Sequence, residues 1–335
     1  MTTAGILIED DGFSGSTYAE VPEPMPRFMR QLLQSHCQCT QQGIPVSPIP
    51  VHREFNAQRS TPRRKRLEFR QVTASEQALT LAERANVRMK KRATTVRYRF
   101  VELPRDAGPG AVPPMARLMA GSKGAAVRIR LYLALLWMAG GGDDRHTVEF
   151  PARAFAELLD LPDPERRGDQ RVRNALRLFE RERLLLAEKR PGRPSLLALL
   201  HESGSGDTYS RPGGHAVAAK ERNEVDVDNL FIRLPPGFWT NGWAVTLGAP
   251  GLAMLLVLLV VTSNASKQRQ WVAPSERPRY GLSDDTWTRG LAELARLGVI
   301  TVGKRPVGDL FDQRRVRNTY SVNIARLDEA PASES

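Results

Sequence analysis

Gln170, Asn174, Arg177 and Arg181 recur at spacings of three and four residues, with Arg173 beside them. On a helix turning 100° per residue they share one face, opposite Val172. Their chemistry suits base edges: an arginine fork matches the two acceptors of guanine, and a carboxamide matches the acceptor and donor of adenine. A second set lies further along, where Asp285, Arg289, Ala292 and Arg296 face away from Trp287, with Thr288 alongside. That face is less basic, and Asp285 would repel phosphate unless it accepts from a cytosine amino group. A basic loop follows each set, with Arg190 and Arg193 in the first and Lys304, Arg305, Arg314, Arg315 and Arg317 in the second. Such loops can lie along a phosphate backbone or enter a minor groove. Arginines opposite an apolar stripe also describe an ordinary solvated helix. Contact with nucleic acid is favoured because basic helix and basic loop coincide twice.

To present these side chains, each helix must bury its other face against further elements. In the first half, Val127 to Met138 is predicted to be an apolar helix, His146 to Phe150 an extended run, and Ala152 to Leu161 a second helix ended by Pro162. Asp169 to Arg183 is the third helix, with Val172, Ala175, Leu176 and Phe179 as its apolar stripe. Leu184 to Lys189 and Ser195 to Leu200 make a hairpin around a Pro-Gly turn. The second half repeats the order with Leu252 to Val261, Trp271-Val272, a short helix near Ser275 to Tyr280, and a third helix capped by Ser283. Val299 to Lys304 and Asn318 to Ile324 complete a hairpin with a long tip.

The halves also match as sequence. Residues 172–191 align without a gap on residues 287–306, ending in Lys189-Arg190-Pro191 and Lys304-Arg305-Pro306. Upstream, Phe100-Val101-Glu102-Leu103-Pro104 and Phe231-Ile232-Arg233-Leu234-Pro235 share F-x-x-L-P. A unit of roughly 100 residues is thus expected twice. The fold expected is mainly α with small β-hairpins, an α+β chain with two winged helix-turn-helix domains in tandem. The expected boundaries are a largely disordered region at 1–97 with a basic arm at 59–99, domains at 98–203 and 229–327, a linker at 204–228 and an acidic tail at 328–335.

Charge agrees with a polyanionic partner. The 335 residues carry a formal charge of +12, and residues 59–99 alone hold thirteen cations against three acids, with residues 76–92 suited to a short, strongly basic helix. Only eight of the 49 cations are lysines, as coding in a G+C-rich bacterial genome would give. Enzyme signals are missing. There is no G-x-x-x-x-G-K-[ST] phosphate loop, and the histidines at 36, 52, 146, 201 and 215 never form a close pair. His36, Cys37, Cys39 and His52 match no zinc spacing, and Asp143-Asp144 and Asp226-Val227-Asp228 suit solvated loops. No catalytic residue, metal or cofactor is therefore expected. The opening residues do not form a basic region followed by an apolar core, so a cytoplasmic location is expected, associated with nucleoid or plasmid.

Residues 234–266 carry no formal charge, which raises the alternative of a membrane-associated factor using residues 243–262. The unbroken apolar run, Leu252 to Val261, falls short of the about 20 residues a bilayer core needs. A buried first helix of the second unit is the expectation. Phe238, Trp239 and Trp243 are read as its packing anchors rather than a platform for bases.

Over residues 98–327 this arrangement resembles the iteron-binding replication initiators of bacterial plasmids. The resemblance rests on two consecutive three-helix units with hairpins and on the repeat. It implies that one unit reads a DNA repeat in the major groove while the other supports dimerisation and backbone contacts. By position, Arg173, Arg177 and Arg181 would face DNA in one unit, and Arg289, Arg296, Arg314 and Arg315 in the other. The long basic N-terminal arm departs from the pattern. Sequence-specific binding of double-stranded DNA is the expected activity, with two tethered units reading sites ~34 Å apart. Replication initiation for a plasmid or mobile element is the first role, and transcription regulation the alternative. A homodimer and the replication or transcription machinery are the further expected partners.

Overall fold

Ser75 starts the described fold by capping a helix: its side chain accepts from the Ala78 amide, and Ala78, Ala82 and Asn86 form the buried face of α1 (Glu76–Arg88). The computed structural model describes residues 72–121, 124–141, 146–221, 226–263, 270–306 and 316–332. All belong to one unit, Lys65–Ser335, through which a single hydrophobic core runs. The expected basic arm therefore needs correction from residue 72 onward. Its charged residues lie on the outer side of α1, while small residues pack inward. β1 (Thr94–Arg97) follows as a strand, with Thr94, Val96 and Arg97 buried. Residues 59–71 of that arm lie outside the described residues.

The architecture is α+β, with helices around three small antiparallel sheets. After β1 come a helical turn, Tyr98–Val101, a short helix, Pro114–Met119, and the long apolar α2 (Ala125–Gly141). Next are β2 (Thr147–Glu149), α3 (Ala152–Leu158), α4 (Asp169–Arg181), β3 (Leu185–Glu188) and β4 (Leu196–Leu199). These three strands form a sheet in the order β2-β4-β3. α5 (Pro212–Glu221) precedes β5 (Phe231–Leu234), and two helical turns, Gly237–Thr240 and Trp243–Thr246, lead into α6 (Ala249–Ser263). α7 (Asp284–Arg296), β6 (Ile300–Pro306) and β7 (Val316–Val322) complete the second half.

The ungapped repeat is preserved element for element. α4 and α7 start and stop at aligned residues, and Leu185 at the head of β3 aligns with Ile300 at the head of β6. An isolated bridge between Gln270 and Tyr320 places the Trp271 segment beside β7, much as β2 lies beside β4. The F-x-x-L-P match is not preserved. Phe100 lies in a helical turn, whereas Phe231 opens β5, which pairs with β1 from Thr94↔Leu234 to Arg97↔Phe231. Phe100 is fully buried and stacks on Tyr132, 4.7 Å between ring centres, so its apolar positions serve α2 and not a sheet.

α6 is apolar all round and buried from Gly251 to Leu258, the pattern of a core helix. Among the described residues no helix is long and apolar enough to cross a membrane. Phe238, Trp239 and Trp243 are buried; Trp239 lies parallel to Trp137 at 4.9 Å and donates to the Thr94 hydroxyl. α6 and α7 approach so closely at Gly290 that a Cβ there would collide with the Pro250 carbonyl and the Met254 side chain. The buried Glu293 of α7 accepts from the Gly248 amide at 2.7 Å, closing the N-terminus of α6. Burial pushes the Glu293 carboxyl up, against the pull of these backbone amides.

Of the segment read as a linker, 204–228, Tyr209 is buried and Ser210 is held by Arg97, whose buried ion pair with Glu202 lies just before that segment. Glu202 is buried against Arg97, accepting from the Arg97 backbone amide at 2.8 Å and from its guanidinium. The same guanidinium donates to Asn229 at 2.9 and 2.7 Å and to the Ser210 carbonyl at 2.7 Å, with the Tyr209 ring 5.3 Å away. Arg130 of α2 reaches the second half, donating to the Val245 and Leu247 carbonyls at 2.6 and 2.9 Å. Arg279 reaches back to the Leu103 carbonyl at 3.1 Å and to Glu102 at 3.3 Å.

Candidate nucleic-acid interface

α4 is held by its inward stripe. Val172, Ala175 and Phe179 are buried, and Phe179 meets Tyr132 of α2 edge-on at 5.5 Å. The helix is introduced by a π-helical turn, Pro164–Gly168, closed by the Gly168 amide on the Asp163 carbonyl at 2.7 Å. Gly168 suits this close approach, because a Cβ there would sit 3.0 Å from Ala156 Cβ and 3.1 Å from the Asp163 carbonyl oxygen and its neighbours would have to give by a few tenths of an ångström. The start of α4 is thereby set against α3.

Opposite the stripe, Gln170, Arg173, Asn174, Arg177 and Arg181 are all exposed. They form a partly ordered row. The Gln170 amide donates to Asn174 Oδ1 at 3.0 Å, and the Arg177 guanidinium donates to the same oxygen at 3.3 Å. Asn174 Oδ1 thus orients a carboxamide one turn before it and a guanidinium one turn after it. Arg173 is tied to Asp169 at 2.5 Å, and this carboxylate raises the guanidinium's affinity for its proton. Arg177 and Arg181 have no acidic partner among the described residues.

Three further cations adjoin the row: Arg166 and Arg167 on the π-helical turn and Arg171 on α4, all exposed. Arg171 and Asn174 line a concavity with Gly124, Val127, Arg128 and Ala175. Considering only positions diametrically opposite Val172 missed them. The run Arg166-Arg167-Gly168-Asp169-Gln170-Arg171 was the available signal, since it crowds cations at a helix start.

The other expected residues divide. Arg190 lies 3.4 Å from Glu149 and 3.5 Å from Glu188, so its charge is largely answered within the fold, while Arg193 is exposed at the turn. On α7, Thr288, Arg289 and Arg296 are exposed, but Arg289 is 3.5 Å from Asp285 and the Thr288 hydroxyl donates to the Asp284 carbonyl. Lys304 and Arg305 on β6 are exposed, and Arg317 on β7 is half-buried. The register sets Arg305 directly across from Arg317. Like charges placed opposite each other repel, and an anion between them removes that cost. Arg314 and Arg315 lie outside the described residues.

Among the described residues no cluster of His, Cys, Asp or Glu could hold a metal ion. No family model, curated protein or solved structure matches the chain. The surface itself offers hydrogen-bond forks, carboxamides and positive charge on rigid elements. Such groups bind and orient a polyanion.

Proposed function

We propose that the two halves are winged helix-turn-helix units and that the chain is a sequence-specific duplex-DNA-binding protein. The observation that carries this reading is the outward row Gln170, Asn174, Arg177 and Arg181, set on a helix whose opposite face is locked in the core. In such a unit α4 enters the major groove, with Gln170 and Asn174 offered to adenine and Arg177 and Arg181 to guanine. Lys304, Arg305 and Arg317 on the β6–β7 hairpin would follow phosphates. α7 is the weaker reader, because Asp285 answers the charge of Arg289. Initiation of plasmid or mobile-element replication is the role we assign, and the same contacts would serve a transcription regulator.

Arg177→Ala and Arg181→Ala provide the test. Both side chains are exposed, so the variants should fold as the wild type does. Each should lower the preference for a duplex recovered from a random pool over a scrambled duplex by ~1–3 kcal/mol per lost base contact. Equal losses on both duplexes would make them backbone contacts and contradict base reading. A plasmid carrying the recovered site should then replicate only when the chain is supplied.

A further inference from the structure

Beyond the α4 surface, a groove of about 350 Å³ runs between α1 and β2. Its floor is made by Leu81, Ala85, Met89, Met138, Val148 and Phe150, and Thr147 and Glu149 complete the lining, the Glu149 carboxylate being answered by Arg190 at 3.4 Å. Arg84 and Arg88 stand one helical turn apart on its rim, exposed and without an acidic partner among the described residues. β2 is the edge of its sheet. The Leu199 amide donates to the His146 carbonyl, so His146 with Leu199 and Val148 with Leu197 are the hydrogen-bonded pairs of that ladder. Thr147 and Glu149 must therefore turn their backbone N–H and C=O groups away from β4, on the open side of the strand. Among the described residues, an unpaired strand edge, an apolar floor and two unanswered cations thus converge in one groove.

We propose that this groove takes an extended peptide segment of another protein, in which apolar side chains alternate with acidic ones, added as a further strand on β2. The edge groups of Thr147 and Glu149 supply the backbone pairing, the floor takes alternate side chains, and Arg84 and Arg88 favour carboxylates over amines. This surface is distinct from the α4 row and would recruit a protein while that row holds DNA.

The probe is a fluorescein-labelled peptide of alternating valine and glutamate, about eight residues long, the length of an ordinary strand. Its fluorescence anisotropy is titrated with the full chain. Saturable binding is expected, weakened ~10-fold or more by Arg84→Glu with Arg88→Glu, since that factor is about the worth of one charge-assisted contact. Arg84→Gln with Arg88→Gln should give a smaller loss in the same direction, and circular dichroism checks that both variants are folded. N-methylation in one of the two alternating phases should abolish binding and in the other preserve it. Arg177→Ala with Arg181→Ala should leave it unchanged. The proposal is overturned by absence of saturable binding, by indifference to both N-methylation phases, or by loss on the α4 variants instead. It is also overturned if sedimentation shows a dimer that the Arg84→Glu, Arg88→Glu chain fails to form, because the groove would then join two copies.

Discussion

Raising the salt from about 50 to 200 mM should weaken binding to duplex DNA by ~10³-fold or more, given six or more phosphate contacts. The number of contacts follows from the cations on the surface. Arg166, Arg167, Arg171, Arg177 and Arg181 surround the start and outer face of α4, and none has an acidic partner among the described residues. Lys304, Arg305 and Arg317 add three more on the β6–β7 hairpin. Each phosphate neutralised releases condensed counterions, so the logarithm of affinity falls linearly with the logarithm of salt. Arg173, Arg190 and Arg289 should contribute less, because Asp169, Glu149 and Asp285 already answer their charges. Fluorescence anisotropy of a labelled duplex across the salt series measures the slope. A flat response would contradict a phosphate-contacting surface.

Arg97→Met should destabilise the fold by ~3–5 kcal/mol, the usual cost of leaving one partner of a buried ion pair behind. Arg97 and Glu202 have fully buried side chains, and the guanidinium also satisfies Asn229 and the Ser210 carbonyl. Burial pushes the Glu202 carboxyl up, and the Arg97 charge and amide pull it down. Removing the cation leaves a carboxyl with one backbone donor inside the core. The damage should reach both halves, because the pair joins β1 to the segment after β4 while Asn229 leads into β5. Arg97→Met with Glu202→Leu should recover part of the loss, since an apolar pair leaves no buried charge. Urea unfolding of the full chain gives the midpoints, and a wild-type midpoint for Arg97→Met would refute this role.

The starts of α4 and α7 could be read in the sequence, at Asp169 and at the Ser283 cap, whereas α4 ends at Arg181, two residues before the expected Arg183, because the last residues leave the helix at the turn into β3. α2 and α6 were legible as buried helices from their unbroken apolar runs. The β1–β5 pairing was not, because it joins distant short segments and Thr94-Thr95-Val96-Arg97 shows nothing of its partner. The shared F-x-x-L-P misled for the same reason: an apolar spacing states that residues are buried but not whether the backbone is a turn or a strand. α1 was legible as a basic helix within residues 76–92, but its packing on the core was not, because the buried stripe is Ala78, Ala82 and Asn86, small and polar residues that give no sign of a docked face. At the site, exposure of the α4 row followed from periodicity alone. Pairing of Arg173, Arg190 and Arg289 with acids depended on rotamers and on the neighbouring strand, which periodicity does not contain.

Affinity cleavage from an iron chelate attached through Arg177→Cys, in a chain carrying Cys37→Ser and Cys39→Ser, tests most directly whether α4 lies on DNA. Strand breaks should fall within a few base pairs of the recovered site, and a chelate attached through Leu186→Cys, on the exposed side of β3, should cut elsewhere or not at all. Breaks spread evenly along the duplex, or none from position 177, would contradict the account.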